Sequence, residues 1–160
     1  MKVFGKPLSE YIAFGKLFLI LVPLAGIIRL VLSVQGYPDA YVQWVSMTAL
    51  VFIGAIYFAI RVQTTGFGGY KELLVLCALE NFTAQIISIV GILQSMMSGV
   101  TNIFTTADHS FNGVDPKLHI LAHLFVGTIA GSLVAWASGS LVLFIARKVV
   151  GGRQTAFDQR

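Results

Sequence analysis

The chain has 160 residues, 56% of them hydrophobic and 11% charged, with a formal net charge of +4 at pH 7. A water-soluble domain of this length cannot bury that much apolar surface, which argues against a soluble globule. The positive balance comes with no RNA- or DNA-binding constellation, so nucleic acid is not an expected partner.

A helix rises ~1.5 Å per residue, so about 20 consecutive apolar residues cross a ~30 Å hydrocarbon core. Four runs qualify, at roughly 17–34, 40–60, 73–98 and 118–146. Lipid offers no partner for an unpaired backbone amide, so such runs must be helices. The predicted fold is all-α: one domain over 1–160, an integral membrane bundle of four transmembrane helices in up-down order, with the lipid bilayer as first partner.

Ahead of the first run, Pro7, Ser9, Glu10, Tyr11, Ile12 and Phe14 predict a short amphipathic helix lying at the membrane interface. This segment carries Glu10 as well as Lys2, Lys6 and Lys16, and the apolar run continues past Ala25 and Gly26. That pattern fits a retained span better than a cleaved signal peptide. Pro23 predicts a kink within span one. Gly36 and the Pro38–Asp39 pair mark a tight outer turn, and Tyr37, Tyr41 and Trp44 follow at one depth, as an aromatic belt would.

Between spans two and three, Thr64 to Tyr70 with Gly66, Gly68 and Gly69 reads as a flexible turn. It lacks the preceding strand and the lysine-hydroxyl ending of a phosphate-cradling loop. Span three holds Glu80, Asn81, Thr83, Ala84, Gln85, Ser88, Gly91, Gln94 and Ser95 at helical spacing, a polar and small-residue stripe that must face away from lipid. Counted from Lys71, Glu80 lies ~14 Å deep, and Arg29, counted from Lys16, lies ~20 Å deep, so the two side chains could meet near the midplane. Three readings stay open: a buried salt bridge docking spans one and three, Arg29 reaching outward with a protonated Glu80 bonded to Asn81 or Gln85, or Glu80 as a proton- or ion-handling carboxylate.

The loop 99–117 is the longest extramembrane piece, and Asp115 before Pro116 predicts a capped helix start at its end. In span four, Gly127, Gly131, Ala135 and Gly139 recur every fourth residue, a groove for close approach by another helix of this chain or of another copy. The row drifts around a straight helix, so only adjacent members share a face. His119 and His123 extend the spacing outward, with Asp108 and His109 in the loop before them. Two histidines one turn apart are ready ligands for a transition metal, and Met96 and Met97 would favour copper. Haem would need an opposing ligand from a second helix, and no other span contains a histidine.

No serine–histidine–aspartate set, paired carboxylates at one depth or nucleophilic cysteine beside a histidine can be assembled, since Cys77 and the histidines lie toward opposite faces. Orientation follows from the basic residues: Lys2, Lys6, Lys16, Arg61, Lys71, Arg147, Lys148, Arg153 and Arg160 all fall on one side of the four spans, which predicts a cytoplasmic (inner) membrane protein with both termini in the cytoplasm. The leading functional expectation is a non-enzymatic protein acting through helix contacts, as an accessory subunit, assembly factor or homo-oligomer with another membrane protein or a second copy. The alternatives are a carrier or channel for protons or a small solute, centred on Glu80 and Arg29, and an outer-face metal or haem site on His109, His119 and His123.

Overall fold

A computed structural model of the chain describes residues 2–106 and 115–158, with side chains through 149. The architecture is helical apart from a two-stranded hairpin at the N-terminus. Strands β1 (Lys2–Val3) and β2 (Lys6–Pro7) pair antiparallel across a two-residue turn in which both Phe4 (φ 48°) and Gly5 (φ 86°) have positive φ. Such turns match the twist of the strands they join. The Tyr11 hydroxyl donates to the Val3 carbonyl at 3.1 Å and ties the hairpin down.

Helix α1 (Leu8–Val34) then runs without interruption through Lys16 and Pro23. The separate interfacial helix expected from the sequence is therefore the first two turns of α1. The reason is packing, since Tyr11 and Gly15 continue the buried stripe formed by Phe18, Val22, Gly26 and Arg29 at spacings of three and four. A short helix α2 (Asp39–Val42) precedes α3 (Met47–Thr65), where the sequence suggested one unbroken span. The break is set by Ser46, whose hydroxyl accepts from the Ala49 amide at 3.2 Å as an N-cap. Gly66, at φ 66°, ends α3 in the left-handed conformation.

Helix α4 (Tyr70–Ser98) starts where Glu72 reaches back to the Gly69 amide at 2.6 Å, and it stops at Gly99, left-handed at φ 69°. The glycine-rich link before it is anchored, not loose. Phe67 stacks on Phe14 with ring centroids 4.0 Å apart and meets Tyr11 edge-on at 5.5 Å. The last helical stretch begins with α5 (Pro116–Leu121), capped by Asp115, which accepts from the Lys117 amide at 2.8 Å. It continues through a π-helical segment, Ala122–Gly127, into α6 (Thr128–Asp158).

Four helical stretches among the described residues are long and apolar enough to cross a membrane: Leu8–Val34, Asp39–Thr65, Tyr70–Ser98 and Pro116–Val149. They pack mutually, α3 and α4 against α6 and α1 against α4. Their outward faces are apolar, with Ile20, Ile27, Ile53, Ile60, Val90 and Leu141 all exposed, while Glu80, Asn81 and Ser88 are buried. Polar inside and apolar outside is the pattern of helices solvated by hydrocarbon.

Candidate functional site

The small residues of α6 decide how close the helices come. A Cβ added at Gly131 would lie 2.8 Å from both amide atoms of Asn81, one at Gly127 would lie 2.6 Å from Gln85 Oε1, and one at Gly139 would lie 3.0 Å from the Ala55 carbonyl oxygen. Gly127 and Gly131 therefore seat the last helical stretch on α4, and Gly139, with buried Ala135 a turn before it, seats α6 on α3. The change of partner along the row follows the drift expected of a four-residue repeat on a 3.6-residue helix. These close contacts are spent inside the molecule.

Asn81 organises the neighbouring irregularity. Its amide nitrogen lies 3.0 Å from the carbonyl oxygens of Gly127 and of Thr128 and 3.3 Å from Ser132 Oγ, so two protons serve three acceptors. Those carbonyls sit at the junction of the π-helical segment and α6, where the regular ladder is disturbed. Thr128 and Ser132 add hydroxyl bonds to the His123 and Thr128 carbonyls, at 3.2 and 2.5 Å.

From Asn81 the network runs outward. Gln85 donates to Asn81 Oδ1 at 3.3 Å, and its own oxygen lies 2.6 Å from His123 Nδ1. With the Gln85 nitrogen committed to Asn81, Nδ1 is the donor to Gln85 and Nε2 remains as the ring's other position. His119 follows one turn away, its ring centroid 4.9 Å from that of His123.

Arg29 arrives from α1. Gly15 lies against Leu76 and Gly26 against Ile87, a constant offset between parallel helices that sets Arg29 level with Val90. That is roughly ten residues, or ~15 Å, outward of Glu80. The Arg29–Glu80 ion pair weighed from the sequence does not form. Among the described residues the ion pair present is Lys6–Glu10, at 3.8 Å. Depth counted from Lys16 and Lys71 misled because α1 extends two turns below Lys16.

Glu80 faces α3 instead. Its carboxylate fills the space left by the missing side chain of Gly54, it is 0% exposed, and neither oxygen has a hydrogen-bond partner among the described residues. The alternative bonds from Glu80 to Asn81 or Gln85 are also not made, since both amides are engaged elsewhere.

What the fold brings together is a cleft of about 460 Å³ lined by Arg29 from α1, Asn81, Gln85 and Ser88 from α4, and His123 from the π-helical segment. A further lining residue, Phe104, was not singled out in the sequence. Residues 102–104 of the loop after α4 turn back into the protein: Asn102 donates to the Gly91 carbonyl at 2.7 Å and to Gln94 at 2.8 Å, and the Ile103 amide donates to Ser33 at 2.7 Å. The Phe104 ring packs on Gly91, 5.6 Å from the Arg29 guanidinium. The signal available in the sequence was the Ile103–Phe104 pair inside a polar loop and a glycine in the helix facing it.

His109 and Asp108 lie outside the described residues. Among the described residues no cluster of three or more His, Cys, Asp or Glu could hold a metal ion, and Met97 stands 88% exposed at the end of α4. Comparison with protein-family models, with curated proteins and with solved structures gives no match, so the reading of this site rests on its own residues.

Proposed function

We propose that this is an integral protein of the cytoplasmic membrane, its four helices crossing in up-down order with both termini in the cytoplasm, and that it binds a small molecule or ion in a cleft inside the bilayer. It belongs on this reading with carriers and binding proteins, not with enzymes. The observation that carries it is the convergence of Arg29, Asn81, Gln85, Ser88 and His123, from three separate segments, on one cavity of about 460 Å³. Ionisable and amide side chains are costly in hydrocarbon and mark ligand or ion paths when they converge.

The orientation is supported by five cations held at one end of the helices. Lys6 lies over Phe67, Arg61 over Phe14, Lys71 over Phe4, Arg147 over Tyr70 and Lys148 over Phe144, each within 5.8 Å of the ring centroid. The carrier reading formed on the sequence thus moves outward, from Glu80 to Arg29, Gln85 and His123. A role through contacts with another membrane protein or a second copy would have to use the outward apolar faces, because Gly127, Gly131 and Gly139 are occupied by α4 and α3.

The test uses Cys77, the single cysteine, which is buried and reports unfolding when it becomes reactive to a thiol dye. Purified protein is heated with anions, cations, neutral solutes and amphiphiles in turn. A ligand at 100 times its Kd stabilises by about 2.7 kcal/mol. The expected result is at least one class that raises the midpoint of the wild type and not of His123→Leu or Gln85→Leu. Equal effects on all three proteins by every class would overturn the assignment.

A further inference from the structure

Glu80 takes no part in the lining of the cleft, and ligand binding there leaves it without a role. Its carboxyl is 0% exposed and pressed against Gly54, and neither oxygen has a hydrogen-bond partner among the described residues. No opposite charge faces it. Residues 17–28 of α1 and 128–146 of α6 contain no titratable group, and over 47–60 α3 contains only Tyr57, whose hydroxyl accepts from Arg61 at 3.1 Å. On α4 the titratable neighbour is Cys77, one turn away, and no other follows before the helix ends at Ser98. Lys16, level with Cys77 on α1, is exposed, and His123 meets Gln85 instead. A carboxylate held without water, donor or counter-charge is so costly that the group takes up a proton.

The carboxyl also occupies a particular level. Val51, one turn before Gly54 on α3, and Asn81 and Ala84, just beyond Glu80 on α4, line the cleft. The Gly54–Glu80 contact is therefore the floor of the cleft between these two helices. Gly139 against the Ala55 carbonyl closes the floor between α3 and α6. Beneath it Phe58, Ala59 and Val62 of α3 and Leu73, Leu76 and Cys77 of α4 are all buried, an apolar seam with Glu80 at its head. A neutral carboxyl belongs in that seam, and a hydrated carboxylate does not fit it.

Resting on the reading of the cleft as a binding site, we propose that Glu80 is a proton-binding site that gates it. With the proton bound, the neutral carboxyl lies against Gly54 and the floor is shut. When the O–H bond breaks and the proton passes to water, the carboxylate left behind must be hydrated, and α3 and α4 part beneath the cleft to admit that water. The cleft is then joined to the inner side of the membrane only while Glu80 is ionised, so that release of a proton and release of a ligand inward go together.

The experiment places the full chain in phosphatidylcholine nanodiscs and follows it from neutral to alkaline pH. Infrared spectra at neutral pH are expected to show a protonated-carboxyl band that is missing from Glu80→Gln. A thiol dye then reads buried Cys77, one turn inward of Glu80. Dividing its rate in the wild type by its rate in Glu80→Gln cancels the pH dependence of the thiol itself. The shut form holds the proton that the open form gives up, so it loses ground as pH rises above the ordinary glutamate value of about 4.3. One proton released per opening makes the ratio climb about tenfold per pH unit until the shut form ionises as well. Glu80→Met, which cannot ionise, is expected to behave as Glu80→Gln does. Ile92→Cys in a Cys77→Ala background, a buried site further out on α4, is expected to show no climb.

Absence of the band, or a ratio that stays flat, overturns the gate, while the cleft reading stands on any compound that raises the midpoint of the wild type over His123→Leu. Equal climbs at Cys77 and at Ile92→Cys would mean that ionisation unfolds the whole chain, which also overturns it. If band and climb are present but no anion, cation, neutral solute or amphiphile raises the wild-type midpoint over His123→Leu, the cleft reading falls and the gate falls with it.

Discussion

Replacing Asn81 with leucine keeps a side chain of similar size but removes the four bonds of its amide at and beside the π-helical junction, leaving only the Thr128 and Ser132 hydroxyl bonds there. The amide nitrogen serves the Gly127 and Thr128 carbonyls at 3.0 Å and Ser132 at 3.3 Å, and the amide oxygen accepts from Gln85 at 3.3 Å. Side-chain hydrogen bonds between membrane helices average about 0.6 kcal/mol and reach about 1.7. Four of them, including one on a Thr128 carbonyl that keeps the Ser132 hydroxyl as a second donor, amount to roughly 2–4 kcal/mol. For a chain of this size each kcal/mol is worth about 2–4 °C, so the midpoint should fall by roughly 4–16 °C. Dye reactivity of Cys77 during a temperature ramp reads it directly. A midpoint within about a degree of the wild type would refute the claim that Asn81 holds the junction.

Three further outcomes follow from particular contacts. Gly54→Ala drives a methyl group into the Glu80 carboxylate and should cost about 1–3 kcal/mol, a loss that at least halves in a Glu80→Ala background; equal losses in both backgrounds would show that the two residues do not compete for space. Glu80→Met replaces an unpartnered buried carboxyl with an apolar group of similar length and should leave the thermal midpoint unchanged or raised. A fall of more than about 2 kcal/mol would reveal a partner for the carboxyl. Phe67→Ala removes the ring wedged between Tyr11 and Phe14 and should cost about 2–3 kcal/mol, less than a fully buried phenylalanine because Phe67 is half-buried, and should make the 64–70 link sensitive to limited proteolysis; a link as resistant as the wild type's would mean the ring is not its anchor.

The helices themselves were legible because apolar runs of about 20 residues with at most one charge each leave little choice of structure. So was the start of the last one, where Asp115 caps and Pro116 occupies the first turn. The inward face of α4 was legible too, since Glu80, Asn81, Ala84 and Ser88 recur at helical spacing and are buried. What could not be read was vertical and rotational setting. Lys16 looked like a membrane boundary, yet buried Tyr11 and Gly15 show α1 already packed below it, which displaced the supposed Arg29–Glu80 meeting. The His123–Gln85 bond depends on the extra residue that a π-helical turn inserts, and no propensity in Ala122–Gly127 announces one. Phe67 and Phe104 were overlooked for one reason. Both are aromatic residues in loops whose neighbours suggest exposure, and both are drawn inward by a surface on a distant helix.

The membrane placement of the cleft is the claim on which the rest depends, and it is tested most directly by labelling single cysteines in intact cells. In a Cys77→Ala background, a cysteine at Met97, exposed at one end of α4, should react with a membrane-impermeant maleimide added from outside. A cysteine at Lys71, exposed at the other end of the same helix, should react only after the membrane is permeabilised. Reaction of both sites in intact cells, or of Lys71→Cys alone, would contradict the account.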